Sequence, residues 1–233
     1  MHQRIPAKRI AELQNDDKIY LDLSFQSEER WNDTQRRKYV KSLLSNSCPT
    51  PIVLADVQSC MKYCEDTYGV DSADYLYFKE KDDIGWQYIS IDGNNRSRTI
   101  GRFVKNEFGL SPTEHKISGI EQPAYRNWKP TNSTRTYSAL PDFIKTHFDN
   151  NVCVIVYKVT EASLTDLCEL FININDGVTL NPQEKRNAIV CKLASIIRDL
   201  SVDFEKFFQL YWSSDSIKRR NHQEFIVSLW VHT

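Results

Sequence analysis

The stretch best suited to chemistry is IDGNNRSRTIGRF, residues 91–103. Asp92 and Gly93 join the end of an apolar strand to a helical pattern. Glycine lets the backbone turn sharply and approach a ligand closely, and free N–H groups at a helix start favour an anion. Arg96 and Arg98 add a planar fork and a second positive charge, both suited to phosphate. The turn therefore predicts a phosphate site.

The neighbouring side chains could contribute to a phosphate site, but they do not establish that one is present. Asn94 and Asn95 supply amides that donate and accept, and Asp92 could hold a metal ion or orient a water. In a purely structural alternative, Asp92 caps the helix, Gly93 makes the turn and the arginines are solvated. The turn lacks the glycine density of a P-loop, so the residues alone leave both interpretations open.

A second polar constellation lies in FININDGVTLNPQEKRNAIV, residues 171–190. Asn181 is predicted to cap a helix, with Pro182 in its first position and Glu184 reaching back as in a capping box. The side-chain amides in this stretch, which include those of Asn173 and Asn175, are more numerous than helix capping requires. They predict either local turn bonds or a second set of ligand contacts.

The elements that must position these residues follow from periodicity and breakers. The sequence predicts strands at 19–23, 51–55 and 152–159, and a hairpin whose strands are DYLYF (74–78) and WQYISI (86–91). Helices are predicted at 34–44 with Asn32 or Asp33 as cap, at 56–68, after Gly93, at 140–148, at 163–175 and from Ser201 onward. Residues 111–138 are polar and contain three prolines, which is typical of a functional or mobile loop.

Composition narrows the class of protein. The chain has 233 residues, of which 40% are hydrophobic and 26% charged, and its net charge is −1, so it has no global basic field for nucleic acid. Its apolar runs are too short for a membrane span and its N-terminus lacks a secretory pattern. The six cysteines form no CxxC pair. We therefore expect reduced thiols, no membrane partner and a cytoplasmic location.

Taken together, the two polar stretches resemble the N-terminal domain of GmrSD-type, modification-dependent (type IV) DNA restriction proteins. That family has an Asp-Gly-Gln-Gln-Arg turn after a strand and, later, Leu-Asn/Ser-Pro-Gln-Glu-Leu-Arg-Asn-Ala. Here residues 92–96 read DGNNR and residues 180–188 read LNPQEKRNA. A weaker match is SFQSEERW at 24–31. The resemblance covers roughly residues 19–200.

The resemblance implies an α+β fold of the ParB/sulfiredoxin type, in which helices surround a small mixed sheet and a helical part follows. The corresponding domains are a nucleotide-handling domain at 1–180 and a helical extension at 181–233. The chain ends in SLWVHT directly after an apolar helical pattern, which predicts a truncated extension.

The resemblance also implies an activity, namely binding and hydrolysis of a nucleoside triphosphate with Mg²⁺ or Mn²⁺. In the family this hydrolase activity is coupled to sensing modified DNA in phage defence, and a separate or downstream HNH nuclease domain cuts. By match, Asp92 and Arg96 would be catalytic, with Asp92 at the metal. The implied nucleotide-binding residues are Gln26, Gly93, Asn94, Asn95, Arg98, Asn175, Asn181 and Glu184. A homo-oligomer is left open.

Departures from the family pattern favour an alternative. Asn94 and Asn95 replace glutamines and reach one methylene less far, and Ser27 stands where arginine is usual. Asp176 precedes a single glycine where the family often has two. The alternative is a non-hydrolysing module that binds nucleotide or DNA and regulates a partner. Histidines and carboxylates are scattered, so the chain is not predicted to cut DNA by itself.

Three basic segments could face DNA. One combines Arg126, Trp128, Lys129 and Arg135 with Tyr125 and Tyr137, and such groups pair phosphates and stack bases. The others are Arg36, Arg37, Lys38 and Lys41 on the first predicted helix, and residues 218–220. Each could also be an ordinary solvated face.

Overall fold

The computed structural model describes residues 2–21, 31–48, 50–120, 123–175 and 203–213, together with residues 216 and 225. Its strands are β1 (His2–Pro6), β2 (Ile19–Tyr20), β3 (Ile52–Asp56), β4 (Tyr88–Asp92), β5 (His115–Lys116), β6 (Asn127–Trp128) and β7 (Cys153–Val159). Its α-helices are α1 (Ala7–Asn15), α2 (Asp33–Leu44), α3 (Val57–Tyr68), α4 (Ala73–Ile84), α5 (Asn94–Val104), α6 (Asp142–Asn150), α7 (Leu164–Asn175) and α8 (Glu205–Tyr211). Short 3₁₀ turns occupy Pro123–Tyr125 and Tyr137–Ala139.

The described residues form two compact units. The first contains the described residues of 2–20, 31–57 and 80–159, and the second contains residue 21, residues 58–79 and the described residues from 160 onward. The boundary predicted between residues 180 and 181 lies outside the described residues.

The first unit is built on a five-stranded mixed sheet with the order β1-β7-β3-β4-β2. β1 pairs antiparallel with β7 and β3 antiparallel with β4, whereas the β3–β7 and β2–β4 pairs are parallel. The prediction of an α+β fold with a small mixed sheet is therefore confirmed. The ParB/sulfiredoxin assignment stays a prediction.

One irregularity in the sheet lies beside the candidate turn. Val53 pairs with Asp92 and Leu54 with Ser90, so the register shifts between Val53 and Leu54. Such a bulge is common next to functional sites because it redirects the strand and ends the regular pairing. Here the shift in register lies where β4 ends, at Asp92.

Helices α1, α2, α5 and α6 contribute apolar side chains to the core of the first unit, together with β3 and β7. Phe103 of α5 is fully buried, and its ring lies 5.5–5.9 Å from those of Phe108, Tyr137 and Phe148. Ile100 is also fully buried and Val104 partly so, which confirms the helix predicted after Gly93 and shows which of its faces packs on the core. This packing fixes the helix whose first turn carries the candidate site.

The predicted hairpin at 74–91 is wrong, because residues 73–84 form helix α4 and only β4 is a strand. Phe78 and Lys81 are buried at helical spacing, whereas Leu76 and Ile84 are exposed. The Ser72 hydroxyl accepts a hydrogen bond from the Tyr75 N–H at 3.3 Å, which favours a helix start. The alternation of side chains in DYLYF is typical of a strand. The segment is too short, however, to distinguish the two-residue period of a strand from the 3.6-residue period of a helix.

The polar segment at 111–138 is not without structure. β5 and β6 pair as a short antiparallel hairpin, with His115 opposite Trp128 and Lys116 opposite Asn127. We call this pair the β5–β6 hairpin.

The second unit contains most of α3 and α4, together with α7 and α8. Cys60 and Cys64 of α3 are buried one turn apart, and burial beside acidic groups raises the pKa of Cys64 to about 11. The Leu164 N–H donates to Asp74 at 2.9 Å, and Ser163 and Asp166 exchange hydrogen bonds at the start of α7. Within the described residues the cysteines are free thiols, and no helix there is long and apolar enough to cross a membrane.

The N-terminus of α2 is held by a capping box. The Asn32 side chain accepts from the Gln35 N–H at 3.0 Å, and the Gln35 side chain accepts from the Asn32 N–H at 2.9 Å. Asn32→Ala should therefore lower the free energy of unfolding by about 1 kcal/mol in urea denaturation. Thr34→Ala, at an exposed position on the same turn, is the matched control and should cost less. Equal losses in the two variants would contradict the cap.

Candidate phosphate site

The candidate site is the turn between β4 and α5. β4 ends at Asp92, Gly93 adopts φ 96°, and α5 begins at Asn94. Gly93 occupies the N-cap position, and its carbonyl accepts the Ser97 N–H at 2.9 Å. Because the cap residue has no side chain, no side-chain acceptor from that position competes for the N–H groups of the first turn. The geometry predicted for this strand–glycine–helix turn is confirmed, but Asp92 is not the cap.

Arg96 is fixed at the base of the turn. Its Nη2 group donates to the Asp92 carboxylate and, at 2.9 Å, to the Pro51 carbonyl at the start of β3. The Arg96 side chain is only 15% exposed and that of Asp92 28%. The guanidinium therefore connects the end of β4 to the beginning of the adjacent strand, and it is not a solvated charge.

Both the close packing around Gly93 and its backbone conformation favour glycine at this position. A Cβ atom at this position would lie 3.1 Å from the Ile52 Cα and 3.2 Å from both Nε and Nη2 of Arg96. Its φ lies in the left-handed region, which other residues adopt only at a cost. The backbone of the turn is thus pressed directly against β3 and the guanidinium.

Arg96 Nε is a buried polar atom of this turn without a hydrogen-bond partner among the described residues. The buried Tyr39 hydroxyl of α2 also lacks a strong partner, since it has only the weakly accepting Cys48 thiol beside it. Tyr39 is 7% exposed. Burial and the neighbouring Cys48 thiol raise the pKa of Tyr39, while the Arg96 charge lowers it. The raised pKa keeps the phenol neutral and able to donate. An oxyanion could accept from both groups.

A groove of about 760 Å³ in the first unit adjoins this region. Its lining includes Cys48, which lies beside Tyr39, and Pro51, whose carbonyl accepts from Arg96. The rest of the lining is His2, Gln3, Arg4, Asn46, Ser47, Cys153 and Ile155. The groove therefore shares two residues with the surroundings of the turn.

The other predicted nucleotide-binding residues divide into three groups. Asn94 is buried in the first turn of α5, while Asn95 and Arg98 are half-buried on the same helix. Asn175 is the last residue of α7. Gln26, Asn181 and Glu184 lie outside the described residues, as does the whole 180–188 motif.

The metal predicted at Asp92 remains a prediction. Among the described residues, no three His, Cys, Asp or Glu side chains come together to hold an ion. The Asp92 carboxylate is engaged by Arg96. Magnesium in nucleotide sites is held by one or two carboxylates together with substrate phosphates, so a single carboxylate at the turn is compatible with one.

The residues predicted to contact DNA do not share one environment. Arg126 and Lys129 are exposed and Arg135 is half-buried. Trp128 packs against the core of the first unit, with its ring 6.4 Å from that of His115.

Sequence reasoning missed the Pro51 carbonyl and the Tyr39 hydroxyl as neighbours of the turn. Pro51 falls in the strand predicted at 51–55 and Tyr39 in the helix predicted at 34–44, and neither was predicted to reach the turn. Neither carries a sequence signal for this role, since a backbone carbonyl has no residue type and the Tyr39 ring is part of the core.

Comparison of the chain with protein-family models, curated proteins and solved structures finds no match. The resemblance to GmrSD-type proteins therefore remains a prediction from the motifs.

Proposed function

We propose that this chain binds the phosphate groups of a nucleoside triphosphate at the turn formed by Asp92–Arg96. The observation that carries the proposal is a pair of buried polar atoms, namely Arg96 Nε, which has no hydrogen-bond partner among the described residues, and the Tyr39 hydroxyl, which interacts with the Arg96 charge and has only the weakly accepting Cys48 thiol beside it. Leaving a buried polar group without a partner costs about 1 to 3 kcal/mol, and more for a charged group. A ligand oxygen accepting from these atoms would recover that cost.

The electrostatics of the turn support an anionic ligand. The N-terminus of α5 carries partial positive charge from its aligned peptide dipoles, and the Arg96 guanidinium adds a full charge next to it. Asp92 neutralises part of that charge. A phosphate at the turn would therefore compete with Asp92 for the guanidinium, and binding would release the Asp92 carboxylate.

The proposed reaction is hydrolysis of the bound triphosphate with Mg²⁺ or Mn²⁺. A bound divalent ion would neutralise charge on the phosphates. The released Asp92 carboxylate would hold that ion or orient the attacking water, and Arg96 would stabilise the charge that develops on the phosphoryl oxygens. Coupling of turnover to modified DNA, and partnership with an HNH nuclease domain, are proposals that rest on the family resemblance.

A non-hydrolysing module is the second candidate, and the Asp92–Arg96 ion pair favours it. In this arrangement the one carboxylate of the turn is engaged by a cation. If the pair survives ligand binding, the turn holds phosphate without activating a water. The chain would then regulate a partner through nucleotide occupancy.

Asp92→Asn distinguishes the two candidates. The amide keeps the shape of the side chain and removes the charge that competes for Arg96, so nucleotide affinity should be unchanged or rise several-fold. Phosphate release should fall by at least 100-fold if Asp92 acts in hydrolysis. Calorimetric titration with GTP, ATP and CTP, and a phosphate-release assay with and without DNA, measure the two quantities.

Asp56→Asn is the matched control, because Asp56 also forms an ion pair on the sheet, with Lys158 at 2.7 Å. It should change neither quantity beyond a small loss of stability. Wild-type binding without turnover would support the regulatory module. No binding of any triphosphate by the wild-type chain would refute the proposed function.

A further inference from the structure

Positive charge is concentrated in one part of the first unit. Helix α2 and the segment 109–135 carry eight lysines and arginines but only three carboxylates, Asp33, Glu114 and Glu121. The whole chain, by contrast, has a net charge of −1. The sequence alone presented these cations as two separate basic segments.

The structure joins the two segments. The Arg37 Nε group donates to the Gly109 carbonyl at 3.0 Å, and the Ser118 N–H donates to the Leu44 carbonyl at 2.9 Å. The Leu110 N–H donates to the Arg135 carbonyl at 2.8 Å. α2 therefore lies against the β5–β6 hairpin and its flanking residues.

Six of the eight cations have no ion-pair or hydrogen-bond partner within the described part of the chain. They are Lys38, Lys41, Lys116, Arg126, Lys129 and Arg135, and all are exposed except the half-buried Arg135. Arg36 and Arg37, in contrast, both pair with Asp33. We call the six the α2–hairpin surface. Their charges stay available to an outside partner.

The aromatic rings of this region are buried or partly buried. The Tyr125 ring stacks on Phe143 with centroids 5.4 Å apart, Tyr137 is buried, and Trp128 packs against the core. The predicted base stacking by these residues therefore lacks an exposed ring. A surface with cations and no stacking platform favours a duplex, whose bases are already stacked, over a single strand.

We propose that the α2–hairpin surface binds the phosphate backbone of duplex DNA without reading its sequence. A surface helix with outward lysines fits the approximately 12 Å wide major groove of B-DNA, whereas the major groove of A-form RNA is too narrow. The proposal goes beyond the nucleotide site, since none of the six cations belongs to the Asp92–Arg96 turn. It joins two of the basic segments that the sequence presented separately and adds Lys116 to them.

The test is fluorescence anisotropy of a labelled 30-base-pair DNA of random sequence with the full chain at several salt concentrations. Each phosphate contact contributes about 0.9 to the log–log salt slope, which corresponds to about 8-fold in affinity at 0.1 M salt. Lys38→Ala with Lys41→Ala should therefore weaken binding by about 60-fold at that salt. The slope should fall by about 2. Lys116→Ala with Lys129→Ala should give the same loss, because the two pairs belong to one surface.

The matched control removes two exposed cations elsewhere, Arg9 and Lys62, each paired with a nearby carboxylate. Arg9→Ala with Lys62→Ala should bind like wild type, and thermal melting should show all three double variants folded. Arg96→Ala should keep its DNA affinity, which separates this surface from the nucleotide site. Four results would overturn the proposal: a control variant as weak as the lysine variants, salt-independent binding, tighter binding of single-stranded DNA or duplex RNA, or equal competition by polyglutamate.

Discussion

Replacing Arg96 with alanine should weaken binding of nucleoside triphosphate by about 10- to 150-fold. A charged hydrogen bond contributes about 1.5 to 3 kcal/mol, which corresponds to that range in dissociation constant. Arg96 is the first cationic residue of α5, and its Nε group has no acceptor among the described residues. Calorimetric titration of GTP, ATP and CTP with magnesium, on wild type and variant, measures the loss.

The control for this experiment lies on the same helix. Arg102 pairs with Glu107 at 3.5 Å at the other end of α5, so Arg102→Ala removes an equal charge without touching the turn. Arg96→Lys keeps the charge but loses the planar fork, and we expect an intermediate affinity. Arg96→Ala also leaves Asp92 unpaired and the Pro51 carbonyl without its donor, so thermal melting must show the variant folded at the titration temperature. Wild-type affinity in a folded Arg96→Ala protein would assign the arginine to structure alone.

The sequence predicted well those elements that strong local signals define. The β4–α5 junction was predicted because a buried strand, a glycine and a helical face follow one another within a few residues. The cap of α2 was predicted as Asn32 or Asp33, because a short polar acceptor before a helical pattern is a local signal, and the structure places Asn32 there. Each of these signals lies within one turn of the chain. Interactions between residues close in sequence determine such features, so they can be predicted without knowledge of the tertiary packing.

Features that depend on tertiary contacts were not predictable in the same way. Arg96 and Pro51 are 45 residues apart, and their hydrogen bond exists because β3 pairs beside β4. The Tyr39 hydroxyl lies near Arg96 only because α2 and α5 share one core. A sequence motif indicated which arginine has a special role. It could not indicate that this arginine would form an ion pair with the Asp92 carboxylate.

The residues predicted to face DNA illustrate a second effect of tertiary packing. A mixture of aromatic and basic residues at 125–137 suggested base stacking, yet folding directs the rings and the charges to different environments. Burying a large aromatic ring is strongly favourable, whereas exposing a lysine costs nothing. In a region already next to an apolar core, the rings are therefore the first groups to be buried. The side chains left exposed here are mainly charged, so we expect any binding of nucleic acid to depend on salt and to show little sequence preference.

Gly93→Ala should lower the free energy of unfolding by about 2 to 5 kcal/mol. The left-handed backbone costs a non-glycine residue about 1 to 2 kcal/mol, and overpacking adds about 1 to 3 kcal/mol. The second term arises because the new Cβ would lie 3.1 Å from the Ile52 Cα, a backbone atom that moves only with β3. For a chain of this size each kcal/mol lowers the melting temperature by about 2 to 4 °C.

Gly85→Ala separates the two causes. Gly85 has φ 97°, nearly the same as Gly93, but a Cβ there would meet only the Lys18 Nζ atom at 3.6 Å. This control should lose about 1 to 2 kcal/mol from backbone strain alone. The excess loss in Gly93→Ala then measures how tightly the turn is pressed against β3 and Arg96. Because the same Cβ would lie 3.2 Å from the guanidinium, that excess should be accompanied by weaker nucleotide binding, whereas Gly85→Ala should bind normally. Equal losses of stability in the two variants would mean that the turn has room for a side chain, and the close approach that defines the proposed phosphate site would then be wrong.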